Sequence, residues 1–214
     1  PPRVVTLANL AEELDRLDFL VNPKVESIRQ QEEALSIRAG ELIGKVYDLL
    51  LPNYIDPTSA ETLRYLNMLC VRIVFCLYAD DAGLFGKRGF FFRYFEPLIK
   101  MPEIFRLELI RLFRVLNTPH DERDPYERAF AKLPYVNGGL FDIASAEAYA
   151  WQVPMFSPEA IHALMIDASE GFDWSGISPT IFGAVFESTL NPETRRTGGM
   201  HYTSVENIHR VIDP

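Results

Sequence analysis

The sequence has no uncharged apolar run long enough to cross a bilayer. Its longest, Ile73 to Ala79, falls far short of the roughly 18 to 20 residues required, and no signal-peptide pattern opens the chain. A soluble, unexported protein with no membrane partner is expected. Cationic charge is also scarce: 21 Lys and Arg stand against 30 Asp and Glu, a formal net charge of -9. That balance excludes a chain that coats nucleic acid or anionic lipid through its overall charge, so any phosphate contact must be local. Cysteine is limited to Cys70 and Cys76. Six apart in what reads as one helix, they lie about 9 Å apart along the axis, beyond disulfide reach, and are expected as buried thiols in a reducing compartment.

Several chemistries are missing as well. There is no G-x-G-x-x-G and no G-x-x-x-x-G-K-[ST], so neither glycine-rich phosphate cradle is present. His120, His162, His201 and His209 lack zinc-site spacing and no H-E-x-x-H occurs. No Glu-x-Lys triplet supplies the metal-holding pattern of a common nuclease. Asp80-Asp81 resembles an acidic metal pair, but adjacent side chains on a helix diverge, and a solvated helix terminus is the preferred reading.

What remains is helical periodicity over a chain of 214 residues, long enough for one sizeable core. Leu7, Leu10, Leu14 and Leu17 recur at helical spacing. After Pro23 a second run carries Ile28, Leu35, Ile37, Leu42, Val46 and Leu49 to a stop at Leu51-Pro52. Thr58 to Glu61 matches a capping box and opens a third run, apolar on nearly every side from Met68 to Ala79 with Arg72 its single charge, as expected of a central helix that Gly83 and Gly86 end. From Pro102 to Asn117 a fourth helix sets Phe105, Leu109, Leu112, Phe113 and Leu116 on one face. Arg106, Arg111 and Arg114 project from the other.

Ser157-Pro158 and Ser178-Pro179 have the composition of helix starts, Ser as N-cap and Pro in the first turn. No long period-2 run and no internal repeat is present. The expected fold is mainly α, a multi-helix orthogonal domain with at most a small hairpin near residues 134–142, where Asn137-Gly138-Gly139 has turn chemistry. Between Lys87 and Arg114 seven basic residues face three acidic ones. This local excess makes Arg106, Arg111 and Arg114 candidate DNA-phosphate contacts, with solvated helix faces as the alternative.

Near the end, Arg195 to Ile208 carries two glycines and a second capping box, Thr203 to Glu206, so Tyr202 and Thr203 stand at a helix N-terminus. Such a terminus presents free amides and a positive dipole to an anion. The chain begins at Pro1 without an initiator Met and stops just inside this helix, so both ends are expected to be cuts within a longer chain.

Gly199-Met200-His201-Tyr202-Thr203-Ser204, followed by Glu206-Asn207-Ile208, resembles the entry into the catalytic domain of adenine-specific DNA methyltransferases, especially the MmeI-like enzymes that fuse restriction and modification. Ser204 stands where the usual pattern has Pro. Upstream, Phe75 to Phe85, Pro134 to Phe141, Phe172-Asp173-Trp174 and Ile181 to Glu187 resemble the helical spacer of the same family. The resemblance implies a spacer over residues 1–190 and the start of a methyltransferase domain over 191–214.

It further implies S-adenosylmethionine as methyl donor, with Gly199, His201, Tyr202 and Thr203 forming one wall of its pocket. Other implied features are double-stranded DNA and other domains of the parent as partners, and a bacterial cytoplasmic setting. The family's glycine-rich donor loop and its Asn/Asp-Pro-Pro-Tyr/Phe motif, which holds the flipped adenine, are absent from this sequence. No catalytic residue is therefore assigned, and the 214 residues are expected to be noncatalytic alone. The competing expectation is a helical protein-interaction module with no donor site.

Overall fold

In the computed structural model of the chain, residues 23–127, 129–136, 138–142 and 151–177 are described, the first eleven of them by backbone alone. The run from Leu7 to Leu17 and the start at Ser178-Pro179 lie outside the described residues. Four longer elements carry the architecture: α1 (Pro23–Leu50), α2 (Ala60–Asp81), α3 (Phe90–Phe95) and α4 (Pro102–Leu116). A fifth, α5 (Pro158–His162), runs directly into a π-helical stretch over Ala163–Glu170. Among the described residues there is no strand, and the fold is mainly α.

On α1 the buried stripe is Ala39, Leu42, Ile43, Val46, Tyr47 and Leu50, a three-four spacing that packs against α2 and the π-helical stretch. Ile37, counted with the apolar run in the sequence, is 43% exposed because it falls outside that stripe. Pro52 ends the helix as expected; Leu51–Asn53 tightens into a 3₁₀ turn, and the Asn53 amide donates to the carbonyl of Leu49, a C-terminal acceptor without an intrahelical partner.

The start of α2 differs by one residue from the capping box read in the sequence. Ser59 is the N-cap, its hydroxyl accepting from the Thr62 N–H at 3.0 Å, while Thr58 is occupied elsewhere. The Asp56 carboxylate takes both the Thr58 N–H (3.0 Å) and its hydroxyl (2.7 Å). That local turn competes successfully for the threonine. Glu61, freed from the box, accepts from the Tyr65 hydroxyl one turn later.

Enclosure of α2 matches the expectation. Leu66, Leu69, Cys70, Ile73, Val74, Cys76, Leu77 and Ala79 are buried, and both cysteines are free thiols. Burial pushes the Cys76 thiol well above its ordinary range. At 22 residues the helix is long and apolar enough to cross a bilayer, yet more than half of its apolar stretch is buried against the rest of the protein and Arg72 lies within it. It serves here as the core helix. Gly83 at φ 77° takes the left-handed conformation that ends it.

The α4 pattern is realised in full: Phe105, Leu109, Leu112, Phe113 and Leu116 are all completely buried. A file of rings joins the layers, with Phe91 to Phe95 at 4.7 Å, Phe95 to Phe105 at 5.0 Å and Phe105 to Phe156 at 5.4 Å between centroids. These tilted aromatic pairs tie α3 to α4 and to the segment before α5. Ser157 caps α5 by accepting from the Ala160 N–H, with Pro158 in its first turn.

Residues 134–142 form no ladder among the described residues. Gly138 and Gly139 both have positive φ, but the carbonyls around them meet arginines instead of a partner strand. Arg123 donates to the carbonyls of Thr118, Ala131, Leu133 and Pro134. Arg72, buried in α2, donates to the carbonyl of Leu140 at 2.8 Å and to the Gln152 side chain at 3.1 Å. Within 134–142 these two forks satisfy the carbonyls of Pro134 and Leu140.

Asp80 and Asp81 are neither a metal pair nor a solvated terminus. Asp80 is 4% exposed and accepts the N–H groups of Phe90 and Phe91 at 2.8 and 3.0 Å. It thereby caps α3 from another helix, because the residue preceding α3 is Gly89, which has no side chain to do so. Burial raises the Asp80 carboxyl above its ordinary range, and the two N–H donors act in the opposite direction. Asp81 accepts from the Trp174 N–H at 2.8 Å, reaching 93 residues along the chain.

Candidate functional site

The three candidate phosphate-binding arginines share a helix but not a role. The Arg106 Nε donates to the Val153 carbonyl at 2.7 Å, and partial burial lowers its pKa. Arg111 is clamped between carboxylates: its Nε lies 2.9 Å from both Glu127 oxygens, its Nη1 contacts Glu108, and the guanidinium stands 5.5 Å from the Phe130 ring centroid. The Glu127 bond is the main reason its pKa is held above the ordinary arginine value. Arg114 is exposed, at the rim of a depression of about 350 Å³ that Arg111, Arg123, Glu122 and Glu127 also line.

The wider basic stretch divides in the same way. Arg88 pairs with Asp81 and Asp173, and Arg93 donates to the carbonyls of Arg88 and Lys87. Lys87, Lys100 and Arg114 are exposed, with no hydrogen bond or ion pair of their side chains recorded among the described residues. The local charge excess in the sequence omitted Glu127 and Asp173 because they lie outside that window. Folding returns both to it.

A cavity of about 730 Å³ opens between the α1–α2 connection and residues 151–155; its lining includes Tyr54, Asp56, Glu61, Tyr65, Arg106 and Trp151. Two of its lining side chains are tied to residues 152 and 153: Tyr54 donates to the Gln152 carbonyl and Arg106 to the Val153 carbonyl. Burial pushes the Tyr54 hydroxyl far above its ordinary pKa, so it remains a donor. At the rim Ile55 is 86% exposed and Trp151 62%. Among the described residues no three His, Cys, Asp or Glu side chains converge as a metal set. The cleft combines carboxylates and rings, and the Tyr54 and Arg106 side chains that line it are already engaged with backbone carbonyls.

Gly199, His201, Tyr202 and Thr203 lie outside the described residues. The Asp80, Asp81 and Arg123 junctions were not anticipated from the sequence, since each joins residues through the fold and carries no local motif. Only the adjacency of Asp80 and Asp81 at a helix end drew notice.

Residues 64–141 match the family model described as MmeI, helicase spacer domain. The chain is 33% identical over 200 residues to DNA methyltransferase A of Bacillus subtilis (strain 168), an alignment covering 92% of this chain and 21% of that protein. Its fold is similar to the Type IIL restriction-modification enzyme MmeI, solved in complex with DNA, with a TM-score of 0.61 and 34% identity over 83% of this chain and 22% of the other. The chain thus spans about a fifth of the length of these relatives. The matched stretch includes α2, α3 and α4 with the arginine-held loop that follows them. These similarities support an MmeI-like methyltransferase segment, with the spacer-domain likeness lying over residues 64–141.

Proposed function

We propose that this chain is the noncatalytic helical spacer of an S-adenosylmethionine-dependent, adenine-specific DNA methyltransferase in a bacterial restriction-modification or phage-defence system. The observation that carries the reading is the spacer-domain match over residues 64–141, within a chain similar to a DNA methyltransferase over 92% of its length. In this reading the helical core links other domains of the parent to the methyltransferase domain, and the parent works on double-stranded DNA in the cytoplasm. Arg114, exposed on α4, is the phosphate contact of choice among the three arginines, since Arg106 and Arg111 already have internal partners.

The donor wall is assigned to Gly199, His201, Tyr202 and Thr203. Its support is chemical: a glycine-flanked helix N-terminus suits the carboxylate of the donor's methionine end. Calorimetric titration of S-adenosylmethionine into the parent enzyme tests it. Tyr202→Ala should weaken donor affinity without lowering the ligand-free melting temperature, whereas Thr203→Ala should cost about 1 kcal/mol of helix stability through the lost cap. A large fall in melting temperature for Tyr202→Ala with donor affinity intact would make Tyr202 a core residue and refute the wall.

A second reading, a helical interaction module with no donor site, draws on the exposed Ile55 and Trp151 beside the cleft between the α1–α2 connection and residues 151–155. It predicts that the parent binds no S-adenosylmethionine at all.

A further inference from the structure

Asp80 and Asp81 are neighbours on α2, and on a helix neighbouring side chains point about 100° apart. One helix end therefore fastens two separate stretches of chain. Asp80 holds the N–H groups that open α3, and this fixes the turn that carries Arg88. Asp81 holds the Trp174 N–H with one oxygen and meets Arg88 Nε at 3.4 Å with the other. A second arm of Arg88 reaches Asp173. Asp173 then caps the turn Trp174–Gly176, accepting the N–H (3.0 Å) and hydroxyl (2.6 Å) of Ser175.

Beneath this network Trp174 is fully buried. Its indole N–H donates to the Ala168 carbonyl at 2.8 Å, and its ring stands edge-on to Phe172 at 4.9 Å. Gly176 lies close against α1, where an added Cβ would come 3.2 Å from Leu35 Cδ1. The turn is thus gripped by α1, α2 and the π-helical stretch together. Its polar fastening has two halves: the Asp81 side chain is 12% exposed, whereas Arg88 and Asp173 are 57% and 56% exposed. Salt screens the outer pair far more than the inner bond.

We propose that Asp81, Arg88 and Asp173 form a clasp that fastens the Trp174–Gly176 turn to the helical core, and so positions the chain that follows it. The clasp itself stands on these contacts. That the positioned element is a methyltransferase domain rests on the spacer reading above.

The two tryptophans make the clasp measurable, because Trp151 is 62% exposed and Trp174 is 0% exposed. In a Trp151→Phe background of the 214-residue chain, emission reports Trp174 alone. Asp81→Ala should shift that emission to the red and raise acrylamide quenching several-fold while far-ultraviolet ellipticity is retained. Arg88→Gln and Asp173→Asn should move both signals in the same direction by less. Added salt should mimic Arg88→Gln in the Trp151→Phe background and add little to that variant.

Trp174 remaining shielded in all three variants would overturn the clasp; if Asp81→Ala loses its helical signal, Arg88→Gln and Asp173→Asn decide by the same criterion. In the full-length enzyme, variants with an open clasp should raise KM for DNA with a smaller change in kcat. Unchanged kinetics alongside an exposed Trp174 would overturn the positioning role and leave the clasp. Absence of methyl transfer by the wild-type parent would instead count against the spacer reading.

Discussion

The Arg72 guanidinium, carried by the central helix, donates to the backbone carbonyl of Leu140 at 2.8 Å, 68 residues along the chain. A single buried cation thereby joins the core helix to the loop that the sequence marks with Asn137-Gly138-Gly139. The same fork bonds the Gln152 side chain, and its carbon lies 6.0 Å from the Phe113 ring centroid. Within the otherwise apolar stretch from Met68 to Ala79 it organises two connections at once.

Arg72→Met should accordingly cost about 2 kcal/mol in chemical denaturation, because it fills the volume yet leaves carbonyl acceptors without their donor. Arg72→Lys should recover only part of this loss, since an ammonium lacks the fork that spans Leu140 and Gln152. Equal stability of Arg72→Met and wild type would remove this residue from the architecture.

At the start of α2 the hydroxyls of two neighbouring residues have different partners. Ser59→Ala should cost about 1 kcal/mol through loss of the N-cap bond to Thr62. Thr58→Ala should cost less, its hydroxyl serving an exposed turn with Asp56. Thermal melts of the two variants rank them, and the opposite ranking would restore Thr58 as the cap.

That one-residue difference shows where sequence legibility ends. The inward face of α4 and the Ser157-Pro158 start were readable because each depends on residues within a turn or two of one another. Thr58 and Ser59 are both cap-forming types, and Asp56, whose turn claims the threonine, leaves the serine as the cap. Asp80 and Asp81 looked like a surface feature because their partners, Phe90, Phe91 and Trp174, come from other segments. Likewise the basic excess between Lys87 and Arg114 shrinks once Glu127 and Asp173 fold back on it. The residues proposed for the donor wall, Gly199, His201, Tyr202 and Thr203, lie outside the described residues.

On α4 the account separates two arginines three residues apart. In the parent enzyme Arg114→Ala should weaken DNA binding alike for all sequences and reduce its salt dependence by about one phosphate contact. Arg111→Ala should leave the salt dependence unchanged and lower stability by up to about 1 kcal/mol, as expected for a partly exposed pair with Glu108 and Glu127. Binding isotherms across a salt series check both, and a flattened slope for Arg111→Ala alone would reverse the assignment.

The central claim is that this segment supports adenine methylation without performing it. Transfer of labelled methyl groups from S-adenosylmethionine to duplex DNA, compared between the 214-residue chain and its parent enzyme with the labelled nucleoside identified, tests that claim most directly. The account predicts no incorporation above background for the segment and N6-methyladenine as the labelled product of the parent. Incorporation by the segment alone, or a parent that labels cytosine or no base, would contradict it.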